Sequence, residues 1–132
     1  MKNEDFVTYD QAVKLKELGF DWECNHYYHL YDELATLSTL PKYENFNKFD
    51  KNCSAPTLSQ VQKWLREVKN IIVLPYCYKR GVSKPLGWNF VLVDNNDIEF
   101  VDYDDIESCD TYEQALSVSI NIAFKILKEQ NH

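Results

Sequence analysis

A short recurring phrase limits where helices can begin in this chain. Threonine, then glutamine three residues later, then a small apolar residue occurs at residues 8–12, 57–61 and 111–115. This spacing is typical of a capping box, in which the threonine hydroxyl accepts a hydrogen bond from the backbone N–H three residues on. The glutamine side chain in turn accepts a hydrogen bond from the threonine N–H. The phrase therefore predicts a helix start directly after each threonine.

Apolar periodicity gives each predicted helix its length. The first helix covers residues 9–18, and Gly19 followed by Phe20 predicts a Schellman motif that brings Phe20 against Leu15. The second helix covers residues 58–68 and has one apolar stripe, as expected for a helix at the surface. The third covers residues 112–130, and its apolar arc is wider than half of the helix surface.

This wide arc allows two interpretations of the third helix. Either the first two helices flank it, or it contacts a second copy of the protein. A single sheet face cannot cover such an arc, and a large exposed apolar patch is rare on monomers. We therefore expect a homodimer, with Val118 and Phe124, which lie at the margins of the arc, at its interface.

Strand-forming residues occur in the stretches between these helices. Strands are predicted at residues 26–31, 71–78, 88–94 and 98–103, with a hairpin turn at Asn95-Asn96-Asp97. Pro75 cannot donate to a ladder, so we place it at a sheet edge or a bulge. Residues 32–56 show no period and are predicted to form a long loop with one short helical turn. The sequence thus predicts a single α+β domain over residues 1–132, with a mainly antiparallel sheet of three or four strands and three helices packed on it.

Composition and charge restrict the function. The chain has 132 residues and a net charge of −7, which disfavours binding to nucleic acid or to an anionic membrane, because both require a basic surface. The N-terminus lacks the apolar region of a signal peptide, and no apolar run is long enough to span a bilayer. The four cysteines form no C-x-x-C pair, so we expect a reduced, cytoplasmic protein with buried thiols. The common nucleotide-binding glycine motifs are absent.

Cys24, His26 and His29 are the strongest metal-binding candidates, because thiolate and imidazole are zinc ligands. On a strand, however, His26 and His29 face opposite sides, and a fourth ligand would have to come from a distant part of the chain. We therefore expect no metal and no cofactor. A Cys–His nucleophile could use only these two histidines or His132.

The acidic stretch 94–113 is a second candidate for binding a cation. It carries nine acidic residues and no Lys or Arg, but it lacks the glycine and glutamate positions of an EF-hand loop. Solvated hairpin ends and the approach to a helix N-terminus explain most of these charges. The carboxylates that could gather a divalent ion are Asp94, Asp97, Asp102, Asp104 and Asp105.

Tyrosines and nearby basic residues are the candidates for a binding surface, because Tyr and Arg are enriched at interface hot spots. The alternative is that these tyrosines simply pack the sheet. The candidate residues are Tyr27, Tyr28, Tyr31, Tyr76, Tyr78, Lys79 and Arg80.

Three blocks of the sequence resemble a family of small uncharacterised proteins encoded in phages and mobile elements of gut bacteria. The blocks are residues 8–28, which include Leu15-Lys16-Glu17-Leu18-Gly19-Phe20-Asp21 and Cys24, residues 55–67, and residues 112–116. The resemblance implies no catalytic residues, no known activity and no role for Cys24. The segment 32–54 is longer than the linker typical of that family.

The function best supported by the sequence is that of a non-enzymatic accessory or protein-binding module with an unknown protein partner. Two alternatives stay open. The first is a small Cys/His-based hydrolase or metal-dependent enzyme. The second is an acidic decoy for a nucleic-acid-binding protein, which rests on net charge alone.

Overall fold

The computed structural model describes residues 5–30, 34–95, 99–102 and 109–130 of the chain. The chain divides into two compact units, Met1–Thr57 and Leu58–His132, here called the N-terminal and C-terminal units. Each unit has its own antiparallel sheet, so the α+β class is confirmed, although the strands form two three-stranded sheets instead of one sheet of three or four strands. That the chain is a single domain stays a prediction. No helix in the described ranges is long and apolar enough to cross a membrane.

The N-terminal unit begins with helix α1, Tyr9–Glu17, which starts at the predicted residue and ends one residue before the predicted Leu18. The Thr8 hydroxyl accepts a hydrogen bond from the Gln11 N–H at 3.2 Å, and Gln11 Oε1 accepts one from the Thr8 N–H at 2.9 Å. At the other end the Phe20 N–H donates to the Leu15 carbonyl at 3.0 Å, across Gly19 at φ +88°. This is the 6→1 bond of a Schellman motif.

The sheet of this unit has the order β2-β1-β3, with β1 at Cys24–His29, β2 at Ser38–Glu44 and β3 at Asn52–Ser54. A 3₁₀ helix, Phe46–Lys48, lies between β2 and β3. The interpretation of residues 32–56 as a loop is therefore wrong in the described part, although the short helical turn is present. Strand β1 begins and ends two residues earlier than predicted.

The C-terminal unit follows the sequence prediction closely. Helix α2 covers Leu58–Val68 and helix α3 covers Tyr112–Gln130, the two predicted ranges. The sheet has the order β4-β5-β6, with β4 at Ile71–Tyr78, β5 at Gly87–Asp94 and β6 at Glu99–Asp102. Both helices contact β4. The residues of this unit that are 0% or 1% exposed and apolar form its core: Val61, Trp64, Leu65, Ile71, Val73, Phe90, Leu92, Ala115, Leu116, Ile120 and Ala123.

Strand β4 ends the described sheet, which confirms the predicted edge position of Pro75. The Asn95 N–H donates to the Asn70 carbonyl at 3.0 Å, and hydrogen bonding alternates along an antiparallel pair, so Pro75 and Val73 direct their backbone polar groups away from β5. Pro75 therefore costs no ladder bond. Gln62 of α2 donates to the outward carbonyl of Val73 at 2.8 Å. Both features discourage another strand from pairing here.

Candidate functional site

The metal candidates on β1 do not converge. Cys24 is buried and its thiol donates to the His26 carbonyl at 3.4 Å, and burial raises the pKa of this thiol. The His26 ring packs against Phe6 with centroids 4.2 Å apart, and burial lowers its pKa. Alternation along the strand places His29 on the opposite face, where it is exposed. Across the described ranges, no three His, Cys, Asp or Glu side chains are grouped to hold a metal ion.

The four cysteines are free thiols in two different environments. Cys24 and Cys53 are buried, and burial raises the pKa of Cys53 to about 11. Cys77 is exposed and Cys109 is half-buried, so the prediction of buried thiols is wrong for these two. Cys77 and Cys109 both pair with Trp88, from opposite sides of β5. Two strand spacings, roughly 10 Å, separate their backbones, which is too far for a disulfide.

Asp94 is the one acidic candidate whose side chain the structure places in detail. It is 1% exposed at the end of β5 and accepts a hydrogen bond from the Gln130 side chain at 2.7 Å. Asp97, Asp104 and Asp105 lie outside the described residues, and Asp102 ends β6. Asp94 therefore connects the end of β5 to the last residue of α3 through a hydrogen bond.

The tyrosine candidates divide between the two units. In the N-terminal unit the Tyr27 ring stacks on Phe46 with centroids 4.5 Å apart, and the Tyr28 hydroxyl donates to the Val7 carbonyl at 2.8 Å. Tyr28 is 7% exposed, so it belongs to the core of its unit and offers little surface to a partner. Tyr31 lies outside the described residues.

Tyr76 and Tyr78 lie on one face of β4, at the end of the β4–β5 hairpin. The Tyr78 ring lies directly over Gly87, its partner across the ladder, where an added Cβ would come within 2.5 Å of the ring. Arg80 donates to the Asp110 carboxylate and to the Cys109 carbonyl, each at 3.0 Å. Its hydrogen bonds to Asp110 and to Tyr78 raise the pKa of the guanidinium. These contacts form a clasp that fixes the base of the hairpin connection.

The connection between β4 and β5, residues 79–86, forms what we call the hairpin tip, and Arg80 within it makes the clasp contacts. Val82 is 95% exposed and Leu86 is 46% exposed, and Lys79 and Lys84 are also exposed. Ser83 has φ +63°, a left-handed conformation that is uncommon for a residue other than glycine. The tip thus presents two exposed apolar side chains and two exposed lysines, with Val82 between the lysines and Leu86 two residues after Lys84.

Lys79 and Arg80 were predicted from the sequence as binding residues, whereas the other tip residues were not. Val82, Lys84 and Leu86 belong to no periodic pattern. A signal was nevertheless present, because residues 68–93 contain no Asp or Glu in a chain of net charge −7. Arg80, in contrast, forms a salt bridge with Asp110 in the clasp, so this residue has a structural role in addition to its positive charge.

The dimer candidates on α3 differ in exposure. Phe124 is 2% exposed in the single chain, whereas Val118 is half-buried. The side chain of Phe124 is therefore already covered, and any contact with a second copy would have to use other parts of α3. The homodimer itself stays a prediction.

Comparison with protein-family models, with curated proteins and with solved structures found no match to this chain. The family resemblance of the three sequence blocks therefore stays a prediction.

Proposed function

We propose that this protein is a non-enzymatic binding module that contacts another protein through the hairpin tip. The observation that carries the proposal is the exposure of Val82 and Leu86 beside two exposed lysines, Lys79 and Lys84, in a connection whose base is clasped. No residue of the tip is buried, so the tip adds nothing to the core of its unit. Loops of this kind, positioned by a rigid scaffold, commonly carry binding residues.

The clasp supports this role because it reduces the entropy cost of binding. Arg80, Tyr78 and Gly87 fix both ends of the tip, and Ser83 holds a left-handed backbone conformation within it. A loop that is ordered before it meets its partner loses less conformational freedom on association. Strained backbone conformations are also often found at functional positions.

The enzyme alternative gains no support from the described residues. The Cys24 thiol is buried and donates to a backbone carbonyl, and the His26 Nδ1 lies 2.8 Å from the Asn25 side-chain oxygen. Neither group is arranged as a nucleophile with its base. Four free cysteines are typical of a reducing compartment, so the proposal includes a cytoplasmic location.

Affinity capture with matched variants tests the proposal. The double variant V82D/L86D should lose proteins that the wild type retains from a cell extract, whereas L34D should retain them. Leu34 is a suitable control because it is 84% exposed and lies in the other unit. Circular dichroism should show all three proteins equally folded, because the substituted side chains are exposed. If the three proteins capture the same partners, the proposal is wrong.

A further inference from the structure

We infer that the hairpin tip binds an acidic segment of a partner protein, one that places carboxylates beside an apolar side chain. This inference rests on the proposed function and adds the chemistry of the partner. Lys79 and Lys84 flank Val82, and both are exposed. Among the described residues neither lysine forms a salt bridge. Their charges are therefore available to a partner.

The charge distribution along the chain supports an acidic partner. Residues 68–93 carry Lys69, Lys79, Arg80 and Lys84 and no acidic residue, although the whole chain has a net charge of −7. The Asp110 carboxylate sits 3.0 Å from Arg80 and compensates that charge. The two lysines thus give the tip a local positive field on an acidic molecule. Complementary charge steers association and selects partners.

The apolar side chains favour a protein over a nucleic acid as the occupant. Burial of the exposed Val82 and Leu86 side chains lowers the free energy when other apolar groups replace the water around them. A phosphate backbone does not offer such groups. Single-stranded nucleic acids bind to aromatic stacking platforms within a basic groove, but residues 79–86 contain no aromatic residue.

Selection from a phage-displayed random-peptide library tests the inference on the full chain. We expect the peptides that bind wild type and not V82D/L86D to be enriched in Asp and Glu next to an apolar residue. Their affinity should fall about tenfold or more for K79E/K84E, and it should weaken as salt is raised. The control is K63E/K125E, which reverses two exposed lysines on α2 and α3 and has the same net charge. It should lose less than about twofold, because its charges lie away from the tip.

The outcomes distinguish a failure of this inference alone from a failure of the proposed function. Tip-dependent peptides that lack acidic residues and bind K79E/K84E as well as wild type would overturn the inference and leave the binding module intact. If no enriched peptide is lost with V82D/L86D, both fall. A fluorescent single-stranded DNA or RNA that binds wild type and is released by K79E/K84E would replace the acidic protein with a nucleic acid.

Discussion

The two units of this protein are stabilised in different ways. Between Asn45 and Ser54 the N-terminal unit depends on single polar side chains that bond to the backbone of distant residues. Asn47 donates to the Phe20 carbonyl at 2.8 Å and accepts from the Ser54 N–H at 2.9 Å. Lys16 donates to the carbonyls of Phe49 and Asn52 at 2.6 and 2.7 Å. Few regular ladder bonds are available here, because β3 has only three residues.

The C-terminal unit instead relies on regular pairing and apolar packing. Strands β4 and β5 pair over all eight residues of each strand, without a shift in register. Helices α2 and α3 supply Trp64, Leu65 and Ile120, each at most 1% exposed, to the core. Removal of one polar atom should therefore destabilise the N-terminal unit, whereas removal of apolar volume should be the most destabilising change in the C-terminal unit.

The largest effect is expected from Phe124 in the C-terminal unit. Phe124→Ala should lower the free energy of unfolding by about 3–5 kcal/mol, because it leaves a cavity at a side chain that is 2% exposed. Phe124→Glu should prevent folding, since it buries a charge without a partner. Urea denaturation followed by circular dichroism measures both.

The same variants bear on the predicted homodimer. Val118→Glu at the half-buried position should leave the fold intact and reduce any self-association. Light scattering of the wild type at high concentration should give twice the mass of one chain. A single-chain mass would rule out the homodimer, and a folded, monomeric Phe124→Glu would show that Phe124 is an interface residue after all.

A matched pair of buried serines tests the comparison more directly. Ser54 and Ser119 are both 0% exposed. Ser54 accepts from the Phe46 N–H at 3.0 Å, so Ser54→Ala leaves a buried donor without an acceptor and should cost about 1–3 kcal/mol. Ser119 only donates, at 2.7 Å, to the Leu116 carbonyl, which also accepts the regular helical bond. Ser119→Ala should therefore stay within about 0.5 kcal/mol of wild type.

Thermal and urea unfolding of the two serine variants measure these two losses of stability. Equal losses would show that the two units do not differ in their dependence on single polar atoms. Ser119→Ala is the control, because it removes the same hydroxyl from an equally buried serine.

This difference also explains how much of the structure could be predicted from the sequence. Helices α1, α2 and α3 begin directly after the threonine of the recurring phrase, as predicted, and β4 and β5 follow from long runs of strand-forming residues. Residues 38–44 show no period, so β2 could not be predicted, and β3 depends on Asn47 and Ser54, which meet only after folding. At the candidate site, Lys79 and Arg80 were identified from their type. The exposure of Val82 and the role of Arg80 in the clasp depend on the hairpin geometry.

The cost of removing a helix cap should differ between the units by a smaller amount. Thr8→Ala should cost about 1 kcal/mol, because the Gln11 N–H at 3.2 Å is partly shielded from water. Thr111→Ala should cost about half as much, since the Gln114 N–H that it releases is exposed and can bond to water. Thr→Ser at each position should restore most of the loss. Equal costs in urea denaturation would contradict this dependence on burial.

The smallest effect on stability is expected from lowering the pH. His26, in the N-terminal unit, has a lowered pKa because it is partly buried against Phe6. Between its lowered folded pKa and about 6.5, the unfolded chain binds a proton that the folded chain does not, so stability falls as the pH falls through this window. The described residues of the C-terminal unit include no histidine, so this loss should begin in the N-terminal unit.

Fluorescence can follow the acid effect in each unit. In the variant Trp22→Phe, Trp64 and Trp88 report on the C-terminal unit, and the difference between its fluorescence and that of wild type gives the signal of Trp22 in the N-terminal unit. Between pH 7 and 5 the urea midpoint reported by Trp22 should decline, and His26→Asn should remove part of that decline because it removes the titrating ring. His29→Asn is the matched control, since His29 lies exposed on the other face of the same strand. If His29→Asn flattens the pH dependence and His26→Asn does not, burial of His26 is not the cause.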